Sequence, residues 1–313
     1  MARKPRIHFP DAVYHVILRG NAGHPVFFDD ADRYRYYLLI QEVTVKFGCR
    51  VHAFCCMTNH IHIVLQVGTI PLSRIMQNLT LRYTTWINNK YRRTGHVFQG
   101  RFKAILLDAD SYLLELVRYI HLNPVRAGIV SDPSDYPWIG HHAYLGKQEL
   151  PWLTSEWVLS HFSSDISQSR NGYNEFVLSG MDEVRRPEFH SGTQEGRILG
   201  DECFADEVLW KAEQQRYHPK SLEEIIDAAC HKFNLTIAEL AAIGKTKPNS
   251  GSRALLALLI REASDYSLTE LGTILNRDVA SLSQAARRLA ERMRLNPDLA
   301  QSAAELKAYL NIV

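Results

Sequence analysis

The residues whose types and spacing could do chemistry lie in three short segments. The first is Asn59-His60-Ile61-His62-Ile63-Val64-Leu65. On a strand, residues i and i+2 share a face, so His60 and His62 stand side by side while Ile61 turns into the core. Two same-facing imidazoles can form half of a divalent-metal site, and the same spacing also occurs in structural or surface histidines. The second segment holds Tyr119 and Asn123, just before Pro124. On a helix, i and i+4 share a face. Leu113, Leu116, Val117 and Ile120 make its apolar stripe, and Tyr112, Glu115, Tyr119 and Asn123 a separate, more polar one. The plain reading is a half-buried tyrosine with a helix-ending asparagine. The third segment, Arg92-Arg93-Thr94-Gly95-His96-Val97-Phe98-Gln99-Gly100-Arg101-Phe102-Lys103, interleaves cations with aromatics. That is the composition of a surface that neutralises phosphates and stacks bases, or of an exposed basic hairpin. Together the three imply a nucleic-acid enzyme. Two histidines and a polar helix residue hold a metal that polarises a scissile phosphate, and a tyrosine hydroxyl attacks the phosphorus. His121 lies about 200° around the helix from Tyr119 and is left out. Glu115, one turn before Tyr119, reads more simply as helix surface.

The elements that must position these residues follow from local pattern. Residues 12–19 alternate as a strand with two mostly apolar faces, as in the middle of a sheet. The Asp29-Asp30-Ala31-Asp32 run supplies N-cap candidates for a helix to about Phe47, closed by Gly48. Strands are expected over about 50–57 and 60–67, and a helix over about 72–91. Residues 97–107 read as a hairpin or a strand broken at Gly100. A further helix begins at Asp110 or Ser111, runs to about Asn123 and stops at Pro124. This order predicts an α+β fold, a small antiparallel sheet with helices on one face, over residues 1–146. Residues 147–220, punctuated by Pro and Gly, read as an irregular connector with short helices and little chemistry. Residues 221–313 read as helical. Leu222, Ile225, Ile226 and Ala229 share one face, and a helix of about 253–263 follows. A helix capped by Ser267 is then joined through Asn276-Arg277-Asp278 to a helix of about 280–293. That pair, with Arg287, Arg288, Arg292 and Arg294, matches a helix-turn-helix.

Composition bounds the classes. The chain has 313 residues, 36 Lys+Arg and 34 Asp+Glu. Residues 1–145 carry 17 basic and 10 acidic side chains, and the remainder 19 and 24, so a net of +7 faces one of −5. No carboxylate stands between Glu42 and Asp108, a window with nine Lys and Arg that suggests a polyanion partner. A solvated basic face is the bland alternative. No apolar run approaches the ~20 residues of a membrane span, and no apolar stretch follows the basic N-terminus as in a signal peptide. The five cysteines form no CxxC pair, which argues against a disulfide framework or thiolate zinc and fits a reducing cytosol.

The motifs also resemble a known family. Met57-Thr58-Asn59-His60-Ile61-His62-Ile63-Val64-Leu65 resembles the histidine-hydrophobe-histidine (HUH) motif of the single-strand insertion-sequence transposases. Phe98-Gln99-Gly100-Arg101-Phe102-Lys103, Arg118-Tyr119-Ile120-His121-Leu122-Asn123-Pro124-Val125-Arg126-Ala127-Gly128 and Tyr14-His15-Val16-Ile17-Leu18-Arg19-Gly20-Asn21 resemble runs of one branch, the REP-associated tyrosine transposases. The resemblance covers roughly residues 5–146. It implies that Tyr119 cleaves a phosphodiester of single-stranded DNA, leaving a 5′-phosphotyrosine link and a free 3′-OH whose counterpart reverses the step in strand transfer. It implies His60, His62 and Asn123 as ligands of Mg²⁺ or Mn²⁺, ions that two imidazoles and an amide do not discriminate. The implied substrate is a palindromic REP hairpin with a flanking tetranucleotide guide, and the place of action is the cytoplasm, at the nucleoid. DNA contacts are expected from Arg19, Asn21, Arg82, Arg92, Arg93, Arg101, Lys103 and Arg126. Residues 221–293 resemble the DNA-binding domain of the bacterial replication initiator through Ser267-Leu268-Thr269-Glu270-Leu271-Gly272 and Asn276-Arg277-Asp278. That match fails at Val279-Ala280-Ser281, so Arg253, Arg277, Ser281, Ser283, Gln284 and Arg288 are duplex-DNA candidates by placement only. A protein-interaction or folding role stays open for this half, as does monomer against homodimer. Two rival functions remain: a hairpin-binding regulator without catalysis, and a small-molecule metallohydrolase that needs neither Tyr119 nor the basic window.

Overall fold

The computed structural model describes residues 7–184, 186–214, 221–242, 249–263, 266–293, 296, 300–301 and 303–305. The chain divides into two compact units, residues 1–216 and 217–313. Arg294 and residues 1–6, named above, lie outside the described residues, as does the expected boundary at 220.

The first unit is built on a five-stranded sheet. In chain order its elements are β1 (Val13–Arg19), α1 (Asp30–Phe47), β2 (Arg50–Cys56), β3 (His60–Gln66), α2 (Leu72–Lys90), β4 (Lys103–Leu107), α3 (Ala109–His121) and α4 (Asn123–Arg126). Then come α5 (His141–Tyr144), α6 (Glu156–Leu159), α7 (Ile166–Leu178), α8 (Glu188–Ser191), β5 (Ile198–Leu199) and α9 (Glu202–Gln214). The strand order is β2-β3-β1-β4-β5. β1 pairs antiparallel with β3 and β4, which explains why both of its faces are apolar. Arg19 stands opposite His60, Ile17 opposite His62 and His15 opposite Val64.

Local chemistry sets the element ends. Asp29 caps α1 by accepting from the Asp32 amide at 3.0 Å, while the Asp32 carboxylate accepts from the Asp29 amide at 3.3 Å. Gly48 ends α1 at φ 61°, a conformation that costs glycine little. Helix α2 then carries Lys90 back to both carboxylates, 2.7 Å from Asp29 and 2.8 Å from the buried Asp32.

The α+β class is as expected, with four differences in detail. Helices lie on both faces: Tyr37 of α1 packs on Phe54, while Tyr119 of α3 shares a cleft with His62 on the other side. Residues 97–102 form no strand, because Phe98 makes only an isolated bridge to Gly20. Pro124 does not stop the chain, since its missing N–H is harmless in the first turn of the short α4. Residues 147–216 are no connector. Tyr173, Val177, Phe189, Ile198 and Leu199 join the core of the sheet, and β5 adds in parallel beside β4, with Leu106 opposite Ile198. The elements of two to four residues in this stretch carry too little periodicity to be read from sequence, while α7 and α9 are 13-residue helices where only short ones are expected.

The second unit contains α10 (Leu222–Phe233), α11 (Ile237–Ala241), α12 (Asn249–Ala263), α13 (Leu268–Ile274) and α14 (Val279–Met293). The expected face of Leu222, Ile225, Ile226 and Ala229 is buried in its core. Ser267 caps α13 in a reciprocal pair with Glu270. A Cβ on Gly272 would lie 2.7 Å from the Arg277 carbonyl, so the turn into α14 requires glycine there.

Candidate active site

The sheet face that carries His60 and His62 forms the floor of a cleft of about 650 Å³. Tyr119, Asn123 and Arg126 line it from α3 and α4, Arg19 from the end of β1, and Glu183, Val184 and His190 from the segment around α8. His60, His62, Tyr119 and Asn123, separated by up to 63 residues, are therefore brought together. Arg19 stands exposed on the rim and Arg126 within.

Tyr119 is held tightly, with only 2% of its surface exposed. Its hydroxyl lies 2.9 Å from His190 Nε2. Its ring packs on Phe189 at 4.9 Å. The Arg126 guanidinium sits 3.8 Å above the ring centre, donates to the Tyr119 carbonyl and donates to Asn123 Oδ1 at 2.9 Å. A cation on the ring face favours negative charge developing on the phenol oxygen. The α8 segment is tied down by charge. Arg118 pairs with Glu115 at 2.5 Å and with Glu183, and Arg186 pairs with Glu115 at 3.0 Å and Glu188 at 2.7 Å. Glu115 is thus spent on these arginines.

The two motif histidines are oriented through their Nδ1 atoms. His60 Nδ1 lies 2.7 Å from Asn59 Oδ1, and the Asn59 amide donates to the Gly23 carbonyl. His62 Nδ1 lies 2.8 Å from His15 Nε2, and His15 Nδ1 lies 2.8 Å from the Phe189 carbonyl. Burial pushes His60 down to about 4, with Arg19 and His190 adding to the effect. Burial, then His15, His60, His190 and Arg126, hold His62 well below the usual imidazole range. Burial pushes His15 down to about 3, against the raising pull of the Phe189 carbonyl. All three rings are therefore neutral at pH 7, the state a metal ligand requires.

Other expected contacts are distributed elsewhere. The Asn21 amide donates to the Val97 carbonyl, and its exposed side chain does not line the cleft. Arg82 is engaged with Glu42, and Arg93 lies 5.2 Å over the Phe28 ring. Arg92 is exposed at φ 51° and Lys103 is exposed at the start of β4. Arg101 lines a second cleft of about 530 Å³, with Phe98, Phe102 and the Ser73, Gln77, Thr80 and Thr84 stripe of α2. In the second unit Ser281, Gln284 and Arg288 are exposed on α14, with the Ser281 amide and hydroxyl donating to the capping Asp278 carboxylate. Arg277 instead donates to the Ala241 and Ala242 carbonyls, closing the C-terminus of α11. Two residues carry no sequence signal for the site: His190, which lines the cleft, and His15, buried against His62. The sequence assigns His15 only to its strand, and the β1–β3 register makes it a diagonal neighbour of His62. His190 stands on the four-residue α8, too short for any spacing signal to mark it.

Residues 8–123 match the family model described as IS200-like transposase. The match spans β1 to Asn123, so His60, His62, Tyr119 and Asn123 lie inside the matched residues, while Arg126 and His190 lie beyond them. The family is generally dependent on a divalent metal ion. A solved structure of a REP-associated tyrosine transposase bound to a REP hairpin is similar at 18% identity and a TM-score of 0.41, covering 49% of this chain and 92% of that one. No curated protein matches the chain. No helix among the described residues is long and apolar enough to cross a membrane.

Proposed function

We propose that the chain is a metal-dependent endonuclease and strand transferase of single-stranded DNA, acting on palindromic hairpins of the REP type with Tyr119 as nucleophile. The observation that carries this reading is the meeting of the Tyr119 hydroxyl and the His60–His62 pair in one cleft beneath Arg19 and Arg126. The bound hairpin of the similar structure agrees with that substrate class.

The donor set fits a divalent cation. With Nδ1 of both histidines committed to Asn59 and His15, each ring has Nε2 left for a ligand. Asn123 Oδ1 already accepts from Arg126, so Asn123 would ligate through the second lone pair of that oxygen; its buried Nδ2 has no partner. Mg²⁺ or Mn²⁺ there would supply Lewis-acid polarisation of the scissile phosphate.

The chain's own residues do the rest. Arg19 and Arg126 draw the phosphate to the cleft and offset its charge. Tyr119 Oη bonds to phosphorus while its proton passes to His190 Nε2, and the bond from phosphorus to the 3′ oxygen breaks. The departing oxygen takes a proton from water and His190 returns its own to solvent. Attack by another 3′-OH reverses the sequence and joins strands.

The test is a covalent adduct. Single-stranded DNA with a palindromic hairpin and its flank, incubated with protein and Mn²⁺ or Mg²⁺, should yield a protein–DNA species that disappears in Tyr119→Phe. An adduct that persists in Tyr119→Phe shows the nucleophile to be another residue. His60→Ala and His62→Ala should lose cleavage and keep hairpin binding. Binding without any adduct would favour the non-catalytic regulator.

A further inference from the structure

Strand β1 brings a third imidazole against the motif pair, and it determines which nitrogen His62 offers. His15 and His62 are 1% and 2% exposed, with ring centres 5.1 Å apart. Their facing nitrogens, His15 Nε2 and His62 Nδ1, are 2.8 Å apart, so one donates and the other accepts. The far nitrogen of His15 settles which. His15 Nδ1 faces the Phe189 carbonyl at 2.8 Å, and a carbonyl only accepts, so the proton of His15 resides on Nδ1. Neither ring hydrogen-bonds a carboxylate, and a charged imidazole buried without one is strongly disfavoured. A neutral His15 therefore has its lone pair on Nε2, and His62 must donate from Nδ1. The lone pair of a neutral His62 then falls on Nε2. A free histidine side chain favours the opposite tautomer, with the proton on Nε2, where it would block a metal.

We propose that His15, anchored by the Phe189 carbonyl of α8, is a positioning residue that locks His62 in the Nδ1-protonated tautomer and so presents its Nε2 lone pair for a divalent cation. The proposal rests on the reading of His62 as a metal ligand. It ties that ligand to the same four-residue helix whose His190 touches the Tyr119 hydroxyl.

Two measurements on the full-length protein test it. Long-range proton–nitrogen correlation of the histidine rings in metal-free protein should show His62 protonated on Nδ1 and bare on Nε2. Mn²⁺ titration, followed by loss of the free-ion paramagnetic resonance signal, should show His15→Leu binding about 10–100-fold more weakly than wild type. His15→Gln, whose amide can accept from His62 and donate to the Phe189 carbonyl, should restore most of that affinity. A wild-type His62 protonated on Nε2 overturns the proposal, as does a folded His15→Leu with unchanged tautomer and affinity. If His15→Leu does not fold, the wild-type spectrum and His15→Gln still decide. If wild type takes up no Mn²⁺ and His60→Ala changes nothing, the metal reading falls by itself, and the tautomer spectrum alone decides the role of His15.

Discussion

Tyr119 is confined on three sides, by His190 at its hydroxyl, Phe189 tilted against its ring and Arg126 on its ring face. Removing the first of these should be felt in rate more than in binding. His190→Ala is expected to slow adduct formation about tenfold, the worth of roughly one hydrogen bond of 1.4 kcal/mol, with hairpin affinity unchanged. Rapid-mixing gel assays under single-turnover conditions check it, and an unchanged rate would remove His190 from the proton path. The motif residues were legible because their spacings are local: i, i+2 on a strand for His60 and His62, i, i+4 on a helix for Tyr119 and Asn123. His190 was not, because a contact across 71 residues leaves no periodic trace.

At the scale of elements, sequence reasoning succeeded where the backbone announces its own ends. The Asp29 cap, the Gly48 stop, the Ser267 cap and the Asn276–Asp278 turn all satisfy orphan groups within a few residues. It failed for α8 and β5, which exist only because the sheet offers them an edge and a face. Asp29→Ala should therefore cost about 1 kcal/mol as a lost cap. Asp32→Ala should cost more, about 3 kcal/mol, because it strips the buried partner of Lys90. Urea midpoints at pH 7 give both values. A second cluster predicts acid sensitivity. His121 and His141 both reach the Tyr173 hydroxyl, at 2.6 and 3.0 Å, in the interior. Burial pushes His141 down to about 4 and His121 well below the usual range. The unfolded chain binds these protons first, so the stability they confer is complete above about pH 6.5 and is lost as pH falls towards 4. The slope is about 1.4 kcal/mol per pH unit for each group. Urea midpoints that stay level from pH 8 to 7 and fall below 6.5, less steeply in His141→Gln, bear this out; a level profile to pH 5 refutes it.

For the whole molecule, the charge split read from composition places the basic surplus in residues 1–145, the part that holds the transposase motifs. The second unit is where sequence and structure assign arginines differently. Arg277 is committed to the α11 carbonyls, while Gln284 and Arg288 are exposed on α14. Arg277→Ala should lower thermal stability. On the reading of α14 as a duplex-DNA helix, Gln284→Ala combined with Arg288→Ala should weaken duplex binding about tenfold and reduce its salt dependence by about one ion, with hairpin cleavage unchanged. Fluorescence anisotropy over a salt series measures this, and unchanged affinity would assign α14 to a different partner.

The place of α8 and β5 in the first unit has a consequence for how the protein comes into being. Tyr119 leaves the ribosome 71 residues ahead of His190. At ~5–20 residues per second that is an interval of several seconds. During it the nascent chain already holds its motif histidines and its tyrosine, but neither Phe189 nor His190 to orient them. A fragment released at residue 146 would stay permanently in that condition, with every motif intact and the nucleophile unheld. On the proposed reading of Tyr119 as nucleophile, a fragment extending through Leu199, where the last strand closes beside β4, should form the adduct faster than one ending at residue 146. On the same reading, a nascent chain presents that hydroxyl held in place only after Phe189, His190 and β5 have been made.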